Sequence, residues 1–166
     1  MLHVFLTVAC FVAGNAYAHG DKQVRKPATD AALAEQKDFG KAGNPRRATR
    51  IVKLAMDDNM RFTPNRITVK QGETIKFIAV NRGRMLHEMV IGTLPELEKH
   101  AELMRQFPDM EPDEPHMVRV KAGNKMPLTW TFNRPGEFHF ACLIAGHFEA
   151  GMVGTITVVA AGDRTH

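Results

Sequence analysis

The chain has 166 residues, of which 44% are hydrophobic and 24% charged, as is usual for a protein that buries one core. Its formal net charge of +4 is unevenly spread. Residues 19–50 hold eight Lys and Arg against four acids, whereas the residues from 51 onward hold 14 of each sign. A basic tail on a formally neutral domain argues against nucleic acid as the partner.

The first 18 residues have the pattern of a secretory signal peptide. An apolar run from Val4 to Val12 precedes Ala16-Tyr17-Ala18, which has the small-x-small form of a cleavage site. The apolar run is much shorter than the roughly 20 residues that a membrane-spanning helix needs, and no later segment approaches that length. We therefore predict an exported protein without a membrane span, whose mature chain begins at His19.

Residues 19–50 are rich in charge, Pro and Gly and contain few large apolar side chains. Such a segment contributes little to a core, so we expect a flexible basic arm. A short helix from Asp30 to Phe39, with Asp30 as its N-cap, is the one regular element that we expect there. Residues 51–162 then form a single domain.

From Ile51 onward, short runs alternate between apolar and polar residues and are bounded by Gly, Pro and Asn, which is the pattern of half-buried strands. About seven such strands favour an all-β sandwich or barrel, and periodicity alone does not decide between them. One insertion breaks this rhythm. Thr93-Leu-Pro-Glu96 resembles a capping box and predicts a helix over Pro95–Gln106, followed by an acidic, proline-rich loop over 108–116.

Removal of the signal peptide removes Cys10 and leaves Cys142 as the lone cysteine of an exported chain. Thiols in that environment are normally paired, so a lone one needs a reason. The alternatives are an intermolecular disulfide, a buried inert thiol, a catalytic nucleophile or a metal ligand.

The residues that follow Cys142 favour the metal ligand. Cys142, His147 and Met152 follow one another with four residues between each pair, and Gly146 and Gly151 can ease the bends of the connecting loop. Two His, one Cys and a weak axial Met are the donor set of mononuclear electron-transfer copper sites. A Cys–His enzyme is less consistent with the sequence, because no orienting third group or oxyanion turn is evident.

The second His of such a site must come from elsewhere in the chain, and His87 is the best candidate. It enters a strand directly after a glycine turn, as a ligand at a loop edge should. The other candidates are less well placed, because His100 lies on the predicted helix, His116 in the acidic loop and His139 on the strand face opposite Cys142.

These residues carry a family resemblance that spans about residues 51 to 160. The motifs that carry it are Met60-Arg-Phe-Thr-Pro64, Ile67-Thr-Val69, Gly72-Glu-Thr-Ile-Lys-Phe77, Asn81, His87-Glu88, Cys142, His147 and Met152. Together they resemble the cupredoxins, the plastocyanin and azurin superfamily. The resemblance implies a Greek-key β-barrel with one type 1 copper between a strand-edge His and the last interstrand loop. It also implies that His147 reaches the surface beside an apolar patch, here Ile144, Phe148 and Met152.

More narrowly, the chain resembles the periplasmic cupredoxins of bacterial copper tolerance, through its His-Glu-Met sequence, inserted helix, Met- and His-bearing loop and charged arm. That implies a periplasmic monomer that binds or redox-buffers copper. The alternative is a one-electron carrier that serves a periplasmic redox protein. A multicopper enzyme is disfavoured, because one short domain lacks the His pairs of a catalytic cluster. The dinuclear copper centre of oxidases is excluded by the missing second cysteine.

A second, weaker copper site is a further hypothesis. Met110, His116 and Met117 lie in or beside the acidic loop, where soft donors adjoin carboxylates. His19 would add an amine and an imidazole if it is the mature N-terminus.

Overall fold

The computed structural model describes residues 35–110 and 112–162, which contain eleven strands and one α-helix. The strands are β1 (Gln36–Lys37), β2 (Gly40–Ala42), β3 (Arg50–Asp57), β4 (Arg61–Thr63), β5 (Arg66–Lys70), β6 (Glu73–Asn81), β7 (His87–Gly92), β8 (Met117–Val120), β9 (Lys125–Phe132), β10 (Gly136–Ala141) and β11 (Val153–Val159). Helix α1 (Leu94–Gln106) follows β7, and a short 3-10 turn lies at Pro45–Arg47.

The strands form two sheets, with the orders β1-β2-β9-β6-β3-β4 and β5-β11-β10-β7-β8. Strands β3 and β6 run parallel, as do β5 and β11, and the other pairs are antiparallel. Because apolar residues alternate along the strands, each sheet turns one apolar face inward. Phe77 and Trp130 from the first sheet and Phe140 and Ile156 from the second lie in one buried core. The predicted all-β architecture with an inserted helix is confirmed.

Helix α1 covers the outer face of the second sheet. Its first turn carries the predicted capping box, in which the Thr93 backbone N–H donates to Glu96 Oε2 at 3.0 Å. Leu97, Ala101 and Met104 form the buried face of the helix, in a second core with Val90, Ala141 and Leu143 of the sheet. The helix therefore excludes water from the outer side of the strands that lead into the candidate site.

The structure differs from the expected arm between residues 35 and 50. Strand β2 pairs with β9, and buried Phe39 stacks on Trp130 with ring centroids 5.4 Å apart. The Trp130 indole N–H donates to the Phe39 carbonyl at 2.9 Å. Gly40 permits this close approach, because a Cβ there would lie 2.2 Å from the Thr131 carbonyl oxygen. The folded domain thus extends back to Gln36 instead of beginning at Ile51, and the end of the expected Asp30–Phe39 helix is part of a hairpin.

The predicted signal peptide over residues 1–18, Cys10, His19 and the rest of the expected arm up to residue 34 lie outside the described residues. Within the described ranges, no helix is long and apolar enough to cross a membrane.

Candidate metal centre

His87 is the first residue of β7 and is fully buried. Its Nε2 lies 3.1 Å from Oδ1 of Asp58. Asp58 also accepts hydrogen bonds from the backbone N–H groups of Arg84, at 2.8 Å, and Met85, at 3.3 Å, and these bonds, the first above all, lower its pKa. An ionised carboxylate only accepts hydrogen bonds, so Nε2 carries the proton and Nδ1 of His87 is free to bind a metal.

Asn81, at the end of β6, shapes the turn that leads into His87. Its side-chain amide donates to the carbonyls of Met85 and Val120, both at 2.8 Å, and its oxygen accepts from the backbone N–H of Gly83 at 2.9 Å. Val120 lies opposite His87 in the β7–β8 pair. Asn81 thereby fastens the turn to the strand beside the candidate ligand.

Cys142 directly follows β10 and is buried. Its backbone N–H donates to the Met152 carbonyl at 3.1 Å, and its Sγ accepts from the Glu88 backbone N–H at 3.4 Å. Burial, and secondarily the Glu88 charge, raises the pKa of the Cys142 thiol to about 12. Without a metal the sulfur therefore carries a proton at neutral pH, and a bound metal must displace it.

His147 lies on the loop between β10 and β11, with its Nδ1 3.3 Å from Cys142 Sγ. Its backbone N–H donates to the Ile144 carbonyl at 2.9 Å. Gly146 and Gly151 have φ angles of 85° and 88°, so both bends use the left-handed conformation that favours glycine. Burial, and then the neighbouring His87, lowers the pKa of His147, which favours the neutral, ligating imidazole.

The candidate ligand atoms of His87, Cys142 and His147 all lie within 4.8 Å of one another. The two imidazole rings are 5.0 Å apart, and Nδ1 of His87 is 3.9 Å from the sulfur. Met152 is fully buried in the same core as Cys142, and its backbone N–H donates to the His147 carbonyl at 3.1 Å. Two imidazoles and one thiol, with Met152 buried in the same core, fit copper better than a hard cation such as Mg²⁺ or Ca²⁺.

The model of copper-binding proteins of the plastocyanin/azurin family matches residues 50–159 of the chain. The chain belongs to this family of copper-binding proteins. Curated relatives agree with that assignment, and solved structures share the fold.

Among the curated relatives, the chain is 45% identical over 155 residues to the copper-resistant cuproprotein CopI of Rubrivivax gelatinosus, covering 93% of this chain and 90% of that one. It is 36% identical over 120 residues to the CopI protein of Vibrio cholerae, covering 72% and 71%. It is 33% identical over 109 residues to a plastocyanin of Nostoc punctiforme, covering 64% and 71%.

Among solved structures, auracyanin B superposes with a TM-score of 0.59 at 20% identity, over 75% of this chain and 96% of that one. The dithionite-reduced auracyanin of Roseiflexus castenholzii gives a TM-score of 0.58 at 23% identity, over 68% and 98%. At these identities the likeness concerns the fold, which is that of the cupredoxins.

The apolar rim of this cupredoxin site differs from the expected patch. Met152 is fully buried and does not reach the surface, and Phe148 packs against the core beneath α1. Met85 and Leu86, 41% and 38% exposed, are the large apolar side chains at the surface beside the His87 turn. Ile144 and Phe148 are both partly exposed, so Met152 is the one member of the expected patch that does not reach the surface.

The residues of the hypothetical second copper site take different positions. Met110 and His116 line a groove beside α1, whereas Met117 is buried in the core beneath the helix. His116 packs edge-on against Phe39, and burial, above all, lowers its pKa to about 4. His19 lies outside the described residues.

Sequence reasoning gave no role to Asp58 or Arg119 and quoted Glu88 only as part of a motif. The Glu88 carboxylate accepts from Arg119 Nε at 3.2 Å and from the Leu143 backbone N–H at 3.1 Å. The Glu beside the strand-edge His was the one available signal, because a carboxylate in a strand as apolar as Met89-Val90-Ile91 needs a partner.

Proposed function

We propose that the chain is a periplasmic cupredoxin that holds one type 1 copper ion through His87, Cys142, His147 and Met152. The observation that carries the proposal is the convergence of one thiol and two imidazoles within 4.8 Å in buried surroundings. This is the donor set of mononuclear electron-transfer copper sites, with Met152 as the weak fourth donor. Bound copper would supply a one-electron couple between Cu(II) and Cu(I).

The chain's own residues prepare the site for the metal. Asp58 holds the His87 ring with Nδ1 facing the Cys142 sulfur, and the main-chain bond from Cys142 to Met152 closes the ligand loop. Such contacts around the ligands fix the imidazole tautomer and orientation before the metal binds. A rigid donor set that suits both oxidation states lowers the reorganisation that accompanies transfer of one electron.

The cellular role that we propose is copper tolerance, by binding or redox-buffering excess copper in the periplasm. The support is the similarity to proteins named copper-resistant cuproproteins. The match to the one from Rubrivivax gelatinosus covers 93% of this chain. The signal sequence supports export, and the same relatives support a copper-binding protein that is not an enzyme. We expect the mature protein to be a monomer.

A one-electron carrier between periplasmic redox proteins is the second candidate. Exposed Met85 and Leu86 beside the His87 turn favour it, since apolar side chains at the mouth of a redox site suit transient docking. The similarity to a plastocyanin points the same way.

A second, weaker copper site at Met110, His116, Met117 and His19 remains part of the proposal. Met110 and His116 support it by sharing one groove. Equilibrium dialysis of the mature protein in excess copper should give more than one ion per chain. A limit of one ion per chain would rule this second site out.

Growth of a deletion strain tests the role. We expect loss of growth under added copper and normal growth without it, with rescue by the wild-type chain but not by Cys142→Ser. A respiratory defect without added copper would instead identify the electron carrier. Growth indistinguishable from the parent strain under both conditions would contradict both candidates.

A further inference from the structure

Glu88 touches the candidate copper site from two sides. Its backbone N–H donates to Cys142 Sγ at 3.4 Å, and its side-chain Oε1 accepts from the backbone N–H of Leu143 at 3.1 Å. One residue therefore holds both the sulfur and the first peptide of the loop that carries His147. Glu88 itself is fully buried, next in sequence to His87.

The other carboxylate oxygen of Glu88 is paired with Arg119. Oε2 lies 3.2 Å from Arg119 Nε, and the two residues face each other across the β7–β8 pair. Both partners of the carboxylate are donors, an amide and a guanidinium, which is the geometry of a buried ion pair. A buried ion pair seldom stabilises a fold more than apolar residues of similar volume would. The position of the Glu88–Arg119 pair beside a candidate ligand therefore indicates a role in the metal site.

The negative end of this pair is the end nearer the sulfur. Glu88 is bonded to Cys142 and to Leu143, whereas Arg119 lies on the far side of the carboxylate, on edge strand β8. Val90 and Leu143, the neighbours of Glu88 on this face, belong to the core that α1 covers. Water is therefore largely excluded, and the charge acts through a medium that screens it weakly.

We propose that Glu88 is a positioning residue of the copper site that holds the start of the ligand loop and favours Cu(II) over Cu(I). The proposal rests on the proposed function. Reduction takes one electron from a redox partner and lowers the charge of the metal by one, so a fixed anion close by opposes it. The hydrogen bond from the Leu143 N–H to the Glu88 side chain, which we call the tether, can be separated from the effect of the negative charge. A glutamine side chain keeps the tether and removes the charge.

Two variants of Glu88 and one matched control separate these effects. Glu88→Gln keeps an oxygen for the Leu143 N–H but removes the charge, and Glu88→Leu removes both. The control is Glu73→Gln, because Glu73 also pairs with an arginine, Arg50 at 3.1 Å, and accepts from a backbone N–H, that of Lys70 at 3.0 Å. Glu73 is the first residue of β6 and Asn81, whose side chain holds the His87 turn, is the last. The control substitution therefore lies at the end of the strand that is away from the candidate site.

Two measurements apply to each protein: the ratio of its affinities for Cu(I) and Cu(II) against competing chelators, and hydrogen exchange of the Leu143 amide without copper. We expect E88Q to shift the ratio toward Cu(I) by at least about tenfold, with Leu143 exchange unchanged. E88L should shift the ratio likewise and also accelerate Leu143 exchange about tenfold or more. E73Q should do neither.

If the ratio of Cu(I) to Cu(II) affinity in E88Q equalled that of the wild type, the charge effect would be overturned. If the Leu143 amide exchanged as slowly in E88L as in the wild type, the tether would be overturned. If E88Q fails to fold, the double variant E88Q/R119Q replaces it, and we expect a smaller shift in the same direction. A wild-type protein that binds no copper would overturn the proposed function and the charge effect together. The Leu143 exchange still tests the tether in that case, because it is read without metal.

Discussion

Nε2 of His87 and Oδ1 of Asp58 lie 3.1 Å apart, and this contact leaves the other ring nitrogen, Nδ1, facing the Cys142 sulfur. Asp58 sits in the turn between β3 and β4, on the other sheet from His87. The orientation of a candidate ligand on one sheet is therefore set by a carboxylate that the opposite sheet supplies. Contacts of this kind tune both the position and the basicity of a ligating imidazole.

Replacement of Asp58 by alanine should weaken Cu(II) binding by about 10-fold to 100-fold, because the His87 ring loses the acceptor that holds it. Competition titration with a chelator of known affinity measures the change. Asp57→Ala is the matched control, since Asp57 caps the same turn through the Asn59 N–H at 3.0 Å without contacting a candidate ligand. Equal Cu(II) affinities in the two variants would show that Asp58 does not orient His87.

Cys142→Ser should abolish the intense visible absorption of the Cu(II) protein, because that absorption requires a thiolate bound to the metal. The fold should persist, since serine has nearly the volume of cysteine. Absorption spectroscopy with far-ultraviolet circular dichroism checks both points. Met104→Leu, which alters a buried sulfur in the core beneath α1, should keep the colour. A coloured Cys142→Ser protein would remove Cys142 from the ligand set.

Phe39→Ala should lower the free energy of unfolding by about 3 to 4 kcal/mol, because the change removes a buried ring stacked on Trp130. Urea denaturation of the metal-free protein measures it. Phe107→Ala is the control, because its ring is 57% exposed and its loss should change stability by no more than about 0.5 kcal/mol. If both variants lost equally little, the N-terminal hairpin would not be part of the folded core.

The stability of the metal-free protein should fall as the pH falls from about 6.5 toward 4, in part through His116. Burial holds the pKa of folded His116 at about 4, so below about 6.5 the unfolded chain takes up a proton that the folded chain does not. The contribution is fully present above that pH and is lost on acidification. Between pH 7 and pH 5 the loss is about 2 kcal/mol.

His116→Phe should therefore make stability less dependent on pH by about that amount. Urea denaturation at pH 7 and pH 5, for both proteins, gives the comparison. Phenylalanine keeps a ring against Phe39, so the packing is largely retained. The same pH dependence in both proteins would show that His116 titrates normally in the fold.

The parts of the fold and the site that could be predicted depend on residues that are close together in the sequence. Cys142, His147 and Met152 lie within one loop, so their donor types and spacing can be judged together. The capping box at Thr93 and Glu96 predicts helix α1. His87 is distant from Cys142 in the sequence, but its position at the start of a strand after a glycine turn identified it as a candidate ligand.

The parts that could not be predicted depend on partners far apart in the sequence. Phe39 is one aromatic residue in a charged, glycine-rich segment, and only its pairing with Trp130 converts that segment into two strands. The Glu88–Arg119 pair depends on the register of β7 against β8, and composition does not fix a register.

X-ray absorption at the copper edge of the copper-loaded mature protein tests the central claim most directly. It reports the atoms around the metal without depending on any variant. With one copper per chain, we expect one thiolate sulfur and two imidazole nitrogens in the inner shell, from Cys142, His87 and His147. A shell of nitrogen and oxygen atoms alone, with no sulfur, would contradict copper binding at this site.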